Sequence, residues 1–161
     1  MLSNKIDSLS DSLKHQTEIT NNTQNQQCCS DKRGFYFSKT GKCYIKRSLT
    51  TRNWDDARAE CKKNGGDLAT ITDQATMDFV LQIVNDIEKE WTKWIWIGAE
   101  KNSGIWSWAD GTPWTDSIDR LWNHNNPRNS RDNGAVAISP SFGWDDWVKS
   151  GTVAAEFLCQ F

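Results

Sequence analysis

Apolar positions along the chain fall into separate patterns. Leu2, Ile6, Leu9 and Leu13 recur at the 4-3-4 spacing of a coiled-coil seam for two heptads. Gln16 and Thr20 then fall on that seam, and residues 23–27 carry no pattern. Residues 1–27 are therefore expected to be a stalk, partly coiled-coil-like, fraying into a flexible linker or a disordered tail. Phe35-Tyr36-Phe37 and Lys42-Cys43-Tyr44-Ile45 predict two strands around a turn at Lys39-Thr40-Gly41. Trp54, Ala57 and Cys61 recur at helical spacing behind an Asn53 cap, and Gly65-Gly66 stops that helix. Residues 67–71 form a short extended link. Thr72 or Asp73 caps a second helix, whose Phe79, Val80, Ile83, Val84 and Ile87 make one apolar stripe for the core.

The run Trp94-Ile95-Trp96-Ile97-Gly98-Ala99 is of strand length, with two Trp and two β-branched residues, and predicts a strand buried on both faces. Gly98 admits a close backbone neighbour or a turn. From Glu100 to Trp147 the chain turns rich in Gly, Asn, Asp, Ser and Trp, with no long periodic run. Such a long irregular stretch is functional or disordered, and its Trp residues argue for order. Residues 134–138 and 154–159 read as strands again.

Composition narrows the class. A formal net charge of −2 offers no electrostatic case for nucleic acid or anionic membrane. No run has the length of a membrane-spanning helix, and the start of the chain lacks a leader's apolar core. That pattern suggests an excised ectodomain. Ten Trp in 161 residues supply a dense small core with indoles left over for a surface. The five cysteines include no C-x-x-C pair, and His15 and His124 lie far from any of them, which argues against zinc. Two disulfides and an odd thiol, in an oxidising compartment, is the reading preferred over free buried thiols. Cys29 and Cys43 lie fourteen apart across the hairpin and suit a local bridge, although Cys28 competes for the same partner. The leftover thiol of the adjacent Cys28-Cys29 pair suits an interchain link. Asn21-Asn22-Thr23 is an N-glycosylation sequon.

Several motifs in order resemble the C-type lectin-like domain, over residues 28–161. Trp54-Asp55-Asp56-Ala57-Arg58-Ala59-Glu60-Cys61 resembles the family's first-helix motif, and Gly66-Asp67-Leu68-Ala69-Thr70-Ile71 the link that follows. Trp96-Ile97-Gly98-Ala99 resembles its central W-I-G-L strand, and Trp106-Ser107-Trp108-Ala109-Asp110-Gly111-Thr112 its Trp-rich segment. Trp144-Asp145-Asp146 stands at W-N-D, and Phe157-Leu158-Cys159 at the closing strand. The resemblance implies an α+β fold, two helices packed on small antiparallel sheets with a long irregular binding-loop region. It also implies a Cys61–Cys159 bridge, and places Cys28, Cys29 and Cys43 in the family's long-form hairpin.

Two departures bear on function. The family's second internal disulfide is missing, with Ala135 and about Lys149 at its two positions. A disulfide closing about fifteen residues is worth roughly 3 kcal/mol, against about 5 kcal/mol for one closing about 100. Packing by Trp114, Trp122 or Trp147 is a candidate to offset the loss. At the family's calcium and sugar triplet, E-P-N or Q-P-D, the chain has Asn126-Pro127-Arg128. Asn126, Asn133, Asp145 and Asp146 occupy or neighbour calcium-ligand positions. Arg128 has only donors and cannot ligate. A cation about 5 Å from Ca²⁺ is repelled by roughly 6 kcal/mol at an effective dielectric of about 20. Lys101 likewise stands where an auxiliary calcium site has Asp. The resulting expectation is that Arg128 replaces the metal by pairing with Asp145 or Asp146, against a surviving weakened calcium site.

Two binding functions fit these residues. One is extracellular carbohydrate recognition with weak or absent calcium dependence, using Asn126, Arg128, Asn133, Asp145, Asp146 and the stacking face of Trp147. The other is a calcium-independent protein-recognition domain of a cell-surface receptor of immunity. Either is secreted or belongs to a type II membrane protein, as a homodimer or small homo-oligomer joined by the stalk and the odd Cys. An enzyme is not expected, because no Ser-His, Cys-His or metal-triad set is present. Asp55-Asp56 reads as first-turn helix charge and His124 as a solvated loop residue.

Overall fold

The computed structural model describes residues 2–48, 53–87, 94–128, 133–139, 143–152 and 156–161. The chain divides into two units, residues 1–43 and 44–161. In the first, α1 (Leu2–Asp31) is one uninterrupted helix, where the sequence reads a flexible linker after the seam. Hydroxyls that compete with helix instead bond back onto it: Ser12, Thr17, Thr20 and Thr23 each donate to the carbonyl four residues earlier, at 2.8–2.9 Å. The helix ends where Gly34 N–H reaches back to Cys29 O at 2.8 Å, with Arg33 at φ 57°. Strand β1 (Phe35–Phe37) follows, and Thr40 and Gly41 N–H both turn onto Phe37 O before β2 (Lys42–Ser48).

Cys29 is bridged to Cys43, with Cα atoms 5.4 Å apart, and the Tyr36 hydroxyl donates to the Asn22 side chain. Those links fasten the hairpin to the helix within the first unit. The side chain of Cys28 lies outside the described residues.

The second unit is organised by β4 (Ile95–Asn102), beginning one residue after Trp94 and running past Ala99. Helix α2 (Trp54–Lys63) is capped by the Asn53 side chain, which accepts from Asp56 N at 2.8 Å. Strand β3 (Asp67–Leu68) leads to α3 (Gln74–Ile87), where Asp73, rather than Thr72, caps by accepting from Thr76 N at 2.8 Å. Beyond β4 come β5 (Ile105–Trp108), a 3-10 helix (Asp116–Leu121), β6 (Asn133–Ser139), β7 (Gly143–Val148) and β8 (Glu156–Gln160). Residues 154 and 155 of the last expected strand lie outside the described residues.

The strands form one sheet in the order β2-β8-β4-β6-β7, with β3 on β8 and β5 on β4, rather than separate small sheets. Its β4–β8 pair is parallel, in the register Ile95↔Glu156 and Trp96↔Phe157; the other strand pairs of the unit are antiparallel. Cys61–Cys159 ties α2 to β8, with Cα atoms 5.5 Å apart.

Around β4 the core closes tightly. Trp54, Ala57, Cys61, Leu68, Trp96 and Phe157 form a fully buried cluster with Ala135 and Ala137 of β6. Burying an indole removes about 200 Å² from water, roughly 5 kcal/mol at about 25 cal/mol per Å². The Trp54 indole N–H is satisfied by Ile97 O at 2.7 Å. Gly98 accepts from Ala109 N–H and donates to Ala69 O, both at 2.8 Å. A Cβ on Gly98 would lie 2.8 Å from Leu68 O and 3.1 Å from Ala69 O, so only glycine lets the post-helix link pass over the strand. Gly98→Ala should therefore lower stability by about 1–3 kcal/mol in urea unfolding. An unchanged midpoint would show that the link yields without cost.

Candidate functional site

The irregular stretch after β5 is held by stacked indoles. Trp144 of β7 is fully buried, with its N–H against Met77 Sδ at 3.3 Å. Its ring meets Trp108 at 5.7 Å, Trp122 at 5.5 Å and Trp114 at 6.0 Å between centroids. Trp106 stacks on Trp114 at 5.8 Å and meets Trp122 at 5.1 Å. Trp147 instead packs edge-on against Trp94 at 5.7 Å. The segment is pinned to β8 at Asp110, which accepts from Thr112 N at 3.0 Å and Gln160 Nε2 at 2.7 Å. Burial alone would raise this carboxyl's pKa; hydrogen bonds from Thr112, Thr70 and Gln160 outweigh it and bring the value down to about 2.

The approach to Pro127 is a tight turn. Asn123 N–H donates to Trp144 O at 2.9 Å, Asn126 N–H returns to Asn123 O at 2.9 Å, and Asn125 sits at φ 67°. His124 is exposed on this turn, and the Asn126–Pro127 peptide is cis. The turn delivers Arg128 to β7. Its backbone N–H donates to Asp146 Oδ1 at 2.8 Å, and its Nη2 lies 2.5 Å from Asp145 Oδ1 and 3.3 Å from Asp146 O. Nε is 3.7 Å from Asp146 Oδ1, and the guanidinium carbon is 5.3 Å from the Trp147 ring centroid.

Asp146 is fully buried and Asp145 nearly so, whereas half of the Arg128 side chain is exposed. Two adjacent carboxylates so far from water need positive charge close by, and here a guanidinium supplies it.

The structure thus gathers Arg128, Asp145, Asp146 and Trp147. Asn126 faces a different neighbourhood, a cleft beside Trp106 and Trp122, and its side-chain oxygen is buried without a partner. Asn133 opens β6 opposite Val148, and its side chain lies outside the described residues. Calcium takes six to eight oxygens, and the fold resemblance implies a site here. With Arg128 bonded to the carboxylates that would ligate, this donor set does not fit the ion. Among the described residues, no three His, Cys, Asp or Glu gather as a metal-ligand cluster. At the auxiliary position, Lys101 Nζ lies 5.6 Å from the Trp106 ring centroid.

The positions of the missing disulfide hold different chemistry. Ala135 is buried in the core, in register with Glu100 and Trp147. Lys149 Nζ is 2.7 Å from Glu100 Oε2, 3.4 Å from Asp55 Oδ1 and 4.3 Å from the Trp54 ring centroid. Arg58 Nη1 meets the other oxygen of Glu100 at 3.5 Å, and Arg58 Nε meets Asp67 Oδ1 at 3.1 Å. This network was missed from sequence, because Lys149 and Glu100 lie 49 residues apart and neither sits in a motif. A charged Glu at the end of a buried strand was the available signal.

Comparison with known proteins agrees with this architecture. The Lectin C-type domain family model matches residues 50–161. C-type lectin domain family 4 member M of Nomascus concolor is 33% identical over 119 residues, 74% of this chain and 29% of that protein. CD209 antigen of Homo sapiens is 31% identical over 106 residues, 66% of this chain and 25% of that protein. The chain spans less than a third of the length of these relatives. The trimeric Kupffer cell C-type lectin receptor Clec4f superposes with a TM-score of 0.68 at 25% identity, over 91% of this chain and 93% of that one. The cow CD23 carbohydrate-recognition domain, solved in the presence of a GlcNAc2Man3 oligosaccharide, gives 0.64 at 24% identity, over 80% and 92%.

The loop base offers a direct test. Lys149→Met keeps much of the side-chain length but removes the charge beside Trp54 and Glu100, and should cost about 1–3 kcal/mol in urea unfolding. Adding Glu100→Gln should recover part of that loss. Wild-type stability in the single variant would show that the pair does not brace the loop.

Proposed function

Because the chain belongs to the C-type lectin domain family, we propose that it is an extracellular recognition domain that binds carbohydrate through its long-loop face without requiring calcium. Family membership places it among binding domains and not enzymes. The observation that carries the metal-independent reading is Arg128 on Asp145 and Asp146, where its charge occupies the acceptors a calcium ion would need. The half-exposed Arg128 guanidinium and the partly exposed Trp147 ring are the polar and aromatic groups available to hydroxylated ligands there. Two disulfides, Cys29–Cys43 and Cys61–Cys159, support an oxidising location outside the cell. No helix among the described residues is long and apolar enough to cross a membrane. Secretion and attachment in a type II membrane protein are both compatible with the reading.

Self-association through α1 is part of the proposal. Ile6, Leu9 and Leu13 stand 64%, 60% and 66% exposed along the seam, and the structurally similar Clec4f is described as trimeric. The same closure of the carboxylates favours a second reading, recognition of a protein surface without a sugar.

A glycan array with and without chelator separates these. Binding that survives chelation is expected, and a blank array beside capture of a deglycosylated protein ligand would favour the second reading. Calorimetry of the wild-type chain should show no Ca²⁺ binding at millimolar concentration, whereas Arg128→Asn should create or strengthen it. Clear wild-type binding would sink the replacement of metal by arginine. In sedimentation, Leu9→Glu with Leu13→Glu should turn a small oligomer into monomer; an unchanged mass would remove α1 from assembly.

A further inference from the structure

The indoles behind the long-loop face lie in two layers. Trp108 and Trp144 are buried and serve the core. In front of them Trp106, Trp114 and Trp122 are each only partly buried, although they pack on one another. They border a cleft of about 520 Å³, closed by Asp119 and by Asn126-Pro127. That volume lies within the range of small-ligand sites. Ile105, 72% exposed, stands at its rim. Two lining side chains each carry a buried polar atom without a partner, Nε1 of Trp106 and Oδ1 of Asn126.

The lining decides what kind of ligand fits. An acyl chain or apolar side chain would cover the indoles and leave the Asp119 carboxylate unmatched. A pyranose ring presents one face of C–H groups and a rim of hydroxyls that donate and accept, and it matches both parts. Asp119 disfavours an anionic sugar through like charge. We infer that the Trp106–Trp114–Trp122 cleft is a metal-independent subsite for a neutral pyranoside. The ring stacks by its C–H face on the indoles, and its hydroxyls bond to Asp119. This inference rests on the reading that the chain recognises carbohydrate, and it puts a stacking subsite beside the Arg128 cluster.

The probe is methyl β-D-galactopyranoside, whose C3, C4 and C5 hydrogens lie on one face, with N-acetylneuraminic acid as the anionic counterpart. Titration of the full chain with chelator present is followed by the indole N–H signals in NMR. The galactoside should shift the Trp106 and Trp114 signals, and the anionic sugar should not. Trp114→Ala should weaken binding by about tenfold or more, the loss of one stacking face. Asp119→Ala, an exposed change that leaves the indole cluster whole, should weaken it by about threefold or more, about half the free energy of that tenfold loss.

Galactoside binding at wild-type strength in both variants would overturn the inference, as would its absence from the wild-type chain or saturation by the anionic sugar. If the glycan array is still positive, carbohydrate recognition stands and only the cleft is excluded. A blank array as well would remove both.

Discussion

A hydrogen bond between an indole and a strand carries much of the second unit. Trp54 sits at the first turn of α2, and its N–H satisfies Ile97 O in the middle of β4. With Gly98 linked to Ala69 on one side and Ala109 on the other, the buried backbone of β4 finds partners that ordinary strand pairing would not supply. The same residues therefore fix the helix, the post-helix link and the Trp-rich segment against one strand. Because the interior is so short of room at Gly98, the arrangement tolerates little variation there.

Those loops are held by charge at two places where this fold family uses a covalent bond or a metal ion. Lys149 and Arg58 converge on Glu100 at the loop base, and Arg128 converges on Asp145 and Asp146 at the tip. In each case a carboxylate mostly withdrawn from water is matched by a partly exposed cation whose charged head lies over an indole, Trp54 or Trp147. Such pairs stabilise less than a loop-closing bridge, and the Trp106–Trp108–Trp114–Trp122–Trp144 stack makes up part of the difference through apolar contact. Because their carboxylates are buried, these pairs are screened by salt less than free surface charges are.

Much of this was legible along the chain, because local rules govern it. Asn53 and Asp73 are helix caps, Gly41 ends a turn, and Ile95 to Ala99 form a buried strand, each read from its near neighbours. The fold family was readable from ordered motifs, and the Cys61–Cys159 bridge came with it. The pairing of Arg128 with the two aspartates was legible through chemistry, since a cation had entered a set of acceptors. Three features were not legible. The helix continues to Asp31 with its hydroxyls bonded inward as far as Thr23, an outcome that composition does not distinguish from a polar linker. The parallel β4–β8 pair and the Lys149–Glu100 contact depend on residues far apart in sequence. The cleft of outer indoles was hidden because Trp106 and Trp108, two residues apart, play opposite parts, one lining it and the other filling the core.

Holding the loop base by ions instead of sulfur also changes its redox behaviour. Thiol reductants have two bridges to attack among the described cysteines, one on the hairpin and one between α2 and β8, and neither spans the long loops. The loop-tip geometry around Arg128 therefore has no reducible bond of its own. Its fate on reduction follows the core: while Trp54 and Trp96 keep α2 on β4 after Cys61 and Cys159 part, the recognition face keeps its shape in a reducing milieu.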